Sequence, residues 1–357
     1  MSDSKNAARS TILEVARDAG VSKTSVSRYL GGERERLSAT LQGRIGQSIA
    51  RLGYRPNQMA RGLKGGRSRL LGMVVADIRN PFSVDVLHGV EQACRERGFS
   101  LLVCNTDNDP AQEREHLALL AAYRVEGLVV NAAGRPSDEL VALAEQGTPL
   151  VLLDRTLGAF EADVVGLDNA RVIDTAVDHL LERGYRHLLY VSEPPEAASS
   201  RQARLLRFHE RRAQGDFDGE VYVQDPHAGE TREATLRKTL ATFVNGADER
   251  PRALLCANGN VTLAVAHALR ALDVTLGETG LLGIDELDWC ALAGPGITTL
   301  AQPTEAIGRA AVDSLLRRLD ENPRHAPSRR TDFVARLIPR GSTQRPRRRE
   351  PADGCSR

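Results

Sequence analysis

Most of the usual marks of an enzyme are missing from this 357-residue chain. A phosphate-cradling loop needs GxGxxG, or GxxxxGK followed by Ser or Thr, directly after a strand. Gly62-x-x-Gly65-Gly66 fits neither spacing and precedes the first candidate strand of the body. No GxSxG turn is present to raise a nucleophilic serine. The eight histidines form no HExxH and do not pair with the cysteines. Cys94, Cys104, Cys256, Cys290 and Cys355 show no CxxC or zinc-ligand spacing, so neither a metal site nor a cofactor is expected. The first three of these lie in apolar stretches and read as buried thiols. No apolar run approaches membrane-spanning length, and the first residues lack a signal peptide's apolar segment, which predicts a cytoplasmic chain with no membrane partner. Aromatic residues are scarce at 4%, yet 41% hydrophobic residues suffice for a core. The length fits one small head with one or two larger domains.

What the chain does have is an uneven charge. The net charge is only +1, but residues 1–69 hold 14 Lys/Arg against 5 Asp/Glu, residues 70–339 hold 28 against 40, and residues 340–357 hold 6 against 2. A basic head on an acidic body points to a polyanion as the partner of the head, because phosphate contacts supply most nonspecific affinity for nucleic acid.

Residues 10–31 supply a structure for that contact. Ile12, Val15, Ala16 and Ala19 recur at helical spacing, Gly20 offers a tight turn, and Ser22 is a good N-cap for a second helix. Val26 and Leu30 would turn that helix inward. Lys23, Thr24, Ser25, Ser27 and Arg28 then face outward, with the hydrogen-bonding and cationic groups that meet base edges and phosphates in a major groove. A helical hairpin with an ordinary solvated face is the plainer alternative; the coincidence with the basic region favours the DNA reader. A third helix is expected from about Ser38 to Leu52, with Leu41, Ile45, Ile49 and Leu52 inward and Gly43 and Gly46 weakening it. Residues 57–64 could form two helical turns at most. They read either as a flexible linker or as a segment that orders on DNA, with Leu63 as an apolar wedge in the minor groove.

From Arg69 the pattern alternates. Apolar runs at 70–76, 100–104, 127–131 and 149–153 are separated by helical patterns near 82–97, 111–123 and 137–146. After 164–167, strands are expected at 187–192, 220–223, 253–256, 280–284 and 298–301, with helices near 169–183, 200–214, 229–245, 259–272 and 303–320. About ten strands in two sets predict an α/β fold of two doubly wound, Rossmann-like subdomains with a ligand in the cleft between them. Asp77, Asp154-Arg155, Asn258 and Asp285-Glu286 stand at strand ends, and Arg201 and Arg204 open a helix. Singly these are surface caps or salt bridges as readily as ligand contacts. Together they suit a hydroxyl-rich or anionic small molecule.

The chain resembles the LacI/GalR family of bacterial transcription regulators from about residue 10 to about residue 342. The likeness rests on Val15-Ala16, Ala19-Gly20-Val21-Ser22 and Val26-Ser27-Arg28 in the head, and on Leu52-Gly53-Tyr54, Pro56-Asn57 and Ala60-Arg61-x-Leu63 in the hinge. In the body it rests on Asn80-Pro81-Phe82, Cys104-Asn105-Thr106, Val125-Glu126-Gly127, Asp154-Arg155, Asp168-Asn169, Gly283-x-Asp285, Thr298-Thr299-x-x-Gln302-Pro303 and Pro339-Arg340-Gly341-Ser342-Thr343.

The resemblance implies a helix-turn-helix domain at 10–56, a hinge helix at 57–66, a periplasmic-binding-protein-like effector and dimerisation domain at 67–342, and a disordered basic tail at 343–357. It implies base reading by Lys23 and Thr24, phosphate or base contacts by Ser25 and Arg28, and hinge contacts by Asn57, Ala60 and Leu63, with Leu63 as the intercalating lever. Effector contacts fall on Phe82, Ser83, Asp154, Arg204, Asn258 and Asp285, with Trp289 close by and Arg155 a further candidate. The implied protein is a homodimer on a near-palindromic operator, a repressor released by a sugar or sugar acid, or else a regulator activated by a purine or other metabolite. Two departures stand out: Arg207 replaces the usual glycine before Phe208, and Gly259 replaces the usual aspartate after Asn258. Arg155, Arg201, Arg204 and Arg207 favour an anionic effector, and the chain looks most like members that respond to 2-ketogluconate. A periplasmic sugar-binding protein would share the body but carry no basic head.

Overall fold

The computed structural model describes residues 10–54, 68–132, 136–225, 229, 231–247, 250–321 and 327–345. Asn57, Ala60 and Leu63 of the expected hinge, and the tail beyond Arg345, lie outside the described residues. The chain divides into two compact units with the boundary between Ser68 and Arg69.

The smaller unit holds helices α1 (Ile12–Asp18), α2 (Lys23–Gly31) and α3 (Ala39–Arg51). Each has a side-chain N-cap: Thr11 in a reciprocal capping box with Glu14, Ser22, and Ser38. Val15, Ala16, Ala19, Val26, Leu37 and Ile45 form its core. Gly20 turns the chain with φ +59°, and its carbonyl accepts from Arg44 of α3 at 3.2 Å. Gly46 is not simply a weak point in α3. A Cβ there would stand 2.9 Å from the Tyr29 hydroxyl, so the glycine admits that ring between α2 and α3.

The larger unit opens with β1 (Leu70–Val75), α4 (Pro81–Glu96), β2 (Ser100–Asn105), α5 (Pro110–Ala122), β3 (Leu128–Val130), α6 (Asp138–Glu145), β4 (Leu150–Leu153) and β5 (Asp163–Leu167). A second set follows: α7 (Asn169–Glu182), β6 (His187–Ser192), α8 (Ser199–Ala213), β7 (Asp218–Val223), α9 (Thr231–Val244), β8 (Arg252–Cys256), α10 (Gly259–Ala271), β9 (Gly280–Ile284) and β10 (Thr298–Ala301). Last come α11 (Thr304–Asp320), β11 (Arg330–Phe333) and β12 (Arg336–Ile338). The strands make two six-stranded sheets, β11-β5-β4-β3-β1-β2 and β12-β10-β9-β8-β6-β7. Among the described residues only β12, against β10, pairs antiparallel.

Three features depart from the alternation read along the sequence. Helix α11 follows a strand of the second sheet but packs on the first, burying Ile307, Ala311, Val312 and Leu315 against Leu71, Met73, Val86 and Val90. It can do so because Gly308 lies against α4; a Cβ there would stand 2.5 Å from the Val86 carbonyl oxygen. Strands β11 and β12, absent from the expected set, add one edge to each sheet. The chain therefore passes between the sheets three times, at Asp168, at Gln302-Pro303 and at Val334-Ala335. Fully buried Asp163 anchors this return: it accepts from Arg318 and Ser314 of α11, both at 2.6 Å, and from the Arg329 N–H at 2.8 Å. Finally, the expected tail starts too early. Thr343 is buried, its hydroxyl 2.8 Å from His179 Nε2 and 2.7 Å from the Thr298 hydroxyl.

Candidate functional site

On the head, the outward face of α2 is set by its inward one. Val26 is fully buried, which leaves Lys23, Thr24, Ser27 and Arg28 exposed. Ser25 is half-buried; its N–H donates to the Ser22 hydroxyl at 3.1 Å, and the two hydroxyls lie 3.0 Å apart. Two cations and two hydroxyls along two turns of helix make a surface suited to phosphates and base edges.

In the body the carboxyl ends of both sheets meet at a cleft. Phe82, Ser83, Asp154, Arg155, Arg204, Asn258 and Asp285 all line it. Backbone shape puts the two aspartates there: Asp154 and Asp285 take left-handed conformations, φ +62° and +82°. Such strain costs about 1–3 kcal/mol per residue and gathers at functional sites. Asp285 is buried; its Oδ2 accepts the Gly259 N–H at 2.8 Å and its Oδ1 accepts from Gln302 Nε2 at 2.6 Å. Burial pushes its carboxyl pKa up, against the opposing pull of the Arg204 charge and these two hydrogen bonds. Arg204 donates through Nε to Asn169 Oδ1 and through Nη1 to the Ala257 carbonyl, both at 2.7 Å. Asp154 Oδ2 accepts from the Ser200 hydroxyl at 2.9 Å, while Asp154 Oδ1 is buried without a partner. Asn258 caps α10 with its Oδ1 and donates from Nδ2 to Glu193 at 2.8 Å.

The cleft encloses about 90 Å³. Cavities for organic ligands usually run to several hundred Å³, so a sugar-sized molecule enters only if the two sheets part. Ser200 on Asp154, and the Ser199 hydroxyl accepting the Thr156 N–H at 2.8 Å, are contacts across that opening.

Known proteins share both halves of this arrangement. Residues 11–57 match the model for bacterial regulatory proteins of the lacI family, and residues 177–343 match a periplasmic binding protein-like domain. The HTH-type transcriptional regulator PtxS of Pseudomonas aeruginosa is 50% identical over 337 residues, 94% of this chain and 96% of the relative. KdgR of Bacillus subtilis, also an HTH-type transcriptional regulator, is 38% identical across 95% of this chain and 99% of its own. This chain belongs to the LacI family. The fold agrees: a lac repressor dimer bound to operator and an anti-inducer superposes with a TM-score of 0.80 at 21% identity, covering 94% of this chain and all of that one. This LacI-family chain is thus a DNA-binding transcriptional regulator with a small-molecule effector domain, and it is not an enzyme.

Two residues grouped with the effector contacts lie elsewhere in this LacI-family chain. Trp289 does not line the cleft. It packs beside Leu263, Leu276 and Leu292 around a separate, mostly apolar cavity of about 700 Å³. That space is larger, but it lacks the converging charged groups of the cleft. Arg207 is tied to Asp174 at 2.9 and 3.0 Å and to Glu210 at 2.8 Å on the outer side of α7 and α8, so it adds nothing to the cleft's charge. Phe208 beside it is fully buried and stacks on Tyr190, ring centroids 5.2 Å apart, so the missing glycine leaves the helix packing intact. Gly259 supplies a bare N–H to Asp285, and a Cβ there would stand 2.7 Å from Leu287 Cδ1. Glu193, Ser200 and Gln302 also line the cleft and were not singled out as contacts. Glu193 had a visible signal, since it directly follows a strand end; Ser200 and Gln302 become neighbours of the aspartates only through the crossing segments.

Proposed function

We propose that this regulator is a repressor, bound to a near-palindromic operator as a homodimer and released by a sugar acid held in the cleft. The observation that carries the effector reading is the set of charged side chains at the strand ends of both sheets. Arg155 and Arg204 line the cleft together with Asp154 and Asp285, while Arg201 and Glu193 in its wall are already paired with each other at 2.6 Å. Guanidinium groups match carboxylates in bidentate fashion, and carboxylates accept from vicinal hydroxyls. Phe82 and Ser83, at the start of α4, and Asn258 complete the wall. The narrowness of the cleft supports a conformational response: a ligand that requires the sheets to part favours a different arrangement of the subdomains from this one, and it shifts DNA affinity by its preference between the two. Lys23, Thr24, Ser25, Ser27 and Arg28 are the major-groove contacts in this reading, with Asn57, Ala60 and Leu63 entering the minor groove. The apolar cavity at Trp289, edged by Leu292 at 84% exposure, supports a subunit contact there. The regulator acts in the cytoplasm, where its operator is.

The test is operator affinity, by gel shift or anisotropy on DNA from upstream of the chain's own gene, with and without 2-keto-D-gluconate. The expected result is an affinity loss within the usual allosteric range of about 5- to 150-fold, with no turnover of the acid. Tighter DNA binding in its presence would reverse the sign of the mechanism.

A further inference from the structure

The arginines that converge on the cleft differ in how far their charge is already matched. Arg201 donates to Glu193 at 2.6 Å, an ion pair inside the cleft itself. Arg204 also places Nε and Nη1 on neutral acceptors, but no buried nitrogen of its guanidinium is without a partner. Arg155 is different. Only 8% exposed, it is held through Nη1 alone, by the Ala132 carbonyl at 2.7 Å, Asn108 Oδ1 at 3.2 Å and the Ala197 carbonyl at 3.4 Å. All three acceptors are neutral. Its Nε is buried with no hydrogen-bond partner. The Asp154, Glu193 and Glu113 carboxylates support its charge and Arg201 opposes it, but among the described residues no carboxylate forms an ion pair with it.

Its neighbour is unfinished in the complementary sense. Asp154 Oδ1, a buried acceptor, also lacks a partner. A buried polar atom left unpaired costs about 1–3 kcal/mol, and nearly all such atoms in folded proteins find a partner. Two adjacent residues facing one cleft, one short of an acceptor and the other short of a donor, describe the group that completes them.

Resting on the sugar-acid reading above, we infer that Asp154-Arg155 is the acid-reading end of the cleft. Arg155 takes the ligand's carboxylate, and Asp154 takes a hydroxyl on the neighbouring carbon. The ligand class is therefore a 2-hydroxy acid, or a 2-keto acid closed to a ring whose anomeric hydroxyl adjoins the carboxylate. Arg201, already neutralised, sets no preference for acids.

Two probes isolate the carboxylate. D-Fructose has the carbon skeleton and configuration of 2-keto-D-gluconate, with a hydroxymethyl group where the acid has its carboxylate. Calorimetric titration of the full-length protein with each sugar gives a preference ratio for wild type and for Arg155→Gln, Arg155→Lys and Arg201→Gln. A charge-assisted bond left unmade is worth about 10- to 150-fold in affinity. The wild type is expected to prefer the acid by at least the upper part of that range. Arg155→Gln should bring the ratio near one without weakening fructose, whereas Arg201→Gln should leave it within about threefold. Should the glutamine variant fail to fold, Arg155→Lys serves, because losing the planar fork should weaken the acid about tenfold or more and spare fructose. An undiminished ratio in the folded Arg155 variants, or a ratio lost in Arg201→Gln instead, overturns the assignment while the ligand class stands. Failure of the wild type to bind the acid overturns the ligand class, and this inference with it.

Discussion

At Asp285 the demands of the fold and of the ligand oppose one another. Burial penalises its ionised form, so its pKa is raised, and the opposing help comes from Arg204, the Gly259 N–H and Gln302. A carboxyl raised in the folded state adds stability in acid, below its ordinary value of 3.8, and loses that contribution as pH rises through the shifted value. At neutral pH the charge is therefore a burden on the ligand-free fold. An amide of the same shape removes it, and Gln302 can accommodate the change: its Oε1 is buried and unpaired, so turning its amide lets it accept from the new side chain. Asp285→Asn is expected to leave stability in urea unchanged or raised by up to about 1 kcal/mol near pH 7. The same variant should lose the stabilisation that 2-keto-D-gluconate gives the wild type. Urea unfolding with and without the acid checks both halves, and a variant destabilised yet still stabilised by the acid would contradict them.

Helices and strands respond to glycine according to what lies beside it. Gly308 of α11 has the Val86 carbonyl oxygen and the Val90 nitrogen within 2.7 Å of where a Cβ would stand. Backbone cannot rotate out of the way, so Gly308→Ala should force α11 off α4 and cost about 1–3 kcal/mol in chemical unfolding of the body. Gly43 of α3 has nothing within 4 Å of that point. Gly43→Ala should instead stabilise the head by about 0.5–1 kcal/mol, since the helix gains and nothing is displaced. Equal effects at the two sites would show that intrinsic helix preference, and not the α4–α11 contact, governs both. Sequence periodicity cannot make this distinction, and the limit recurs across the fold. The inner strands are visible in the chain as apolar runs because both faces of a parallel sheet are covered, whereas edge strands β2 and β7 are partly exposed and more weakly marked. Edge strand β11 (Arg330–Phe333) is mostly exposed and polar, so no apolar run announces it. Nor does any local pattern say that α11 returns to the first sheet, because the reason is a glycine pressed on a backbone more than 200 residues away in sequence. The cleft was legible to the same degree: residues at strand ends were found, while Trp289 was misplaced because short 3₁₀ geometry turns it toward the apolar core around α10.

Across the whole molecule, charge is divided between a cationic reader and an acidic sensor, and this division has a measurable consequence. Residues 1–69 carry an excess of nine positive charges and residues 70–339 an excess of twelve negative ones. Affinity for DNA should come from the head against an unfavourable contribution of the body, and added salt should weaken it steeply. Each phosphate contact releases counterions and adds about 0.9 to the slope of log affinity against log salt. Lys23 and Arg28, exposed on α2, carry the charge for such contacts; Thr24, exposed beside Lys23, carries a hydroxyl and no charge. If Lys23 and Arg28 meet phosphates, Lys23→Ala and Arg28→Ala should each flatten the slope by about one and weaken specific and nonspecific DNA alike. Thr24→Ala should leave the slope unchanged and relax the preference for particular bases in the outer half-sites. Lysine can also read a guanine, so a Lys23→Ala variant that keeps the slope but loses base preference would reassign that residue from phosphate to base. Salt titrations on operator and on unrelated duplex, compared for the three variants, separate these roles. A Thr24→Ala variant that flattened the slope, with base preference intact, would remove the face of α2 from sequence reading altogether.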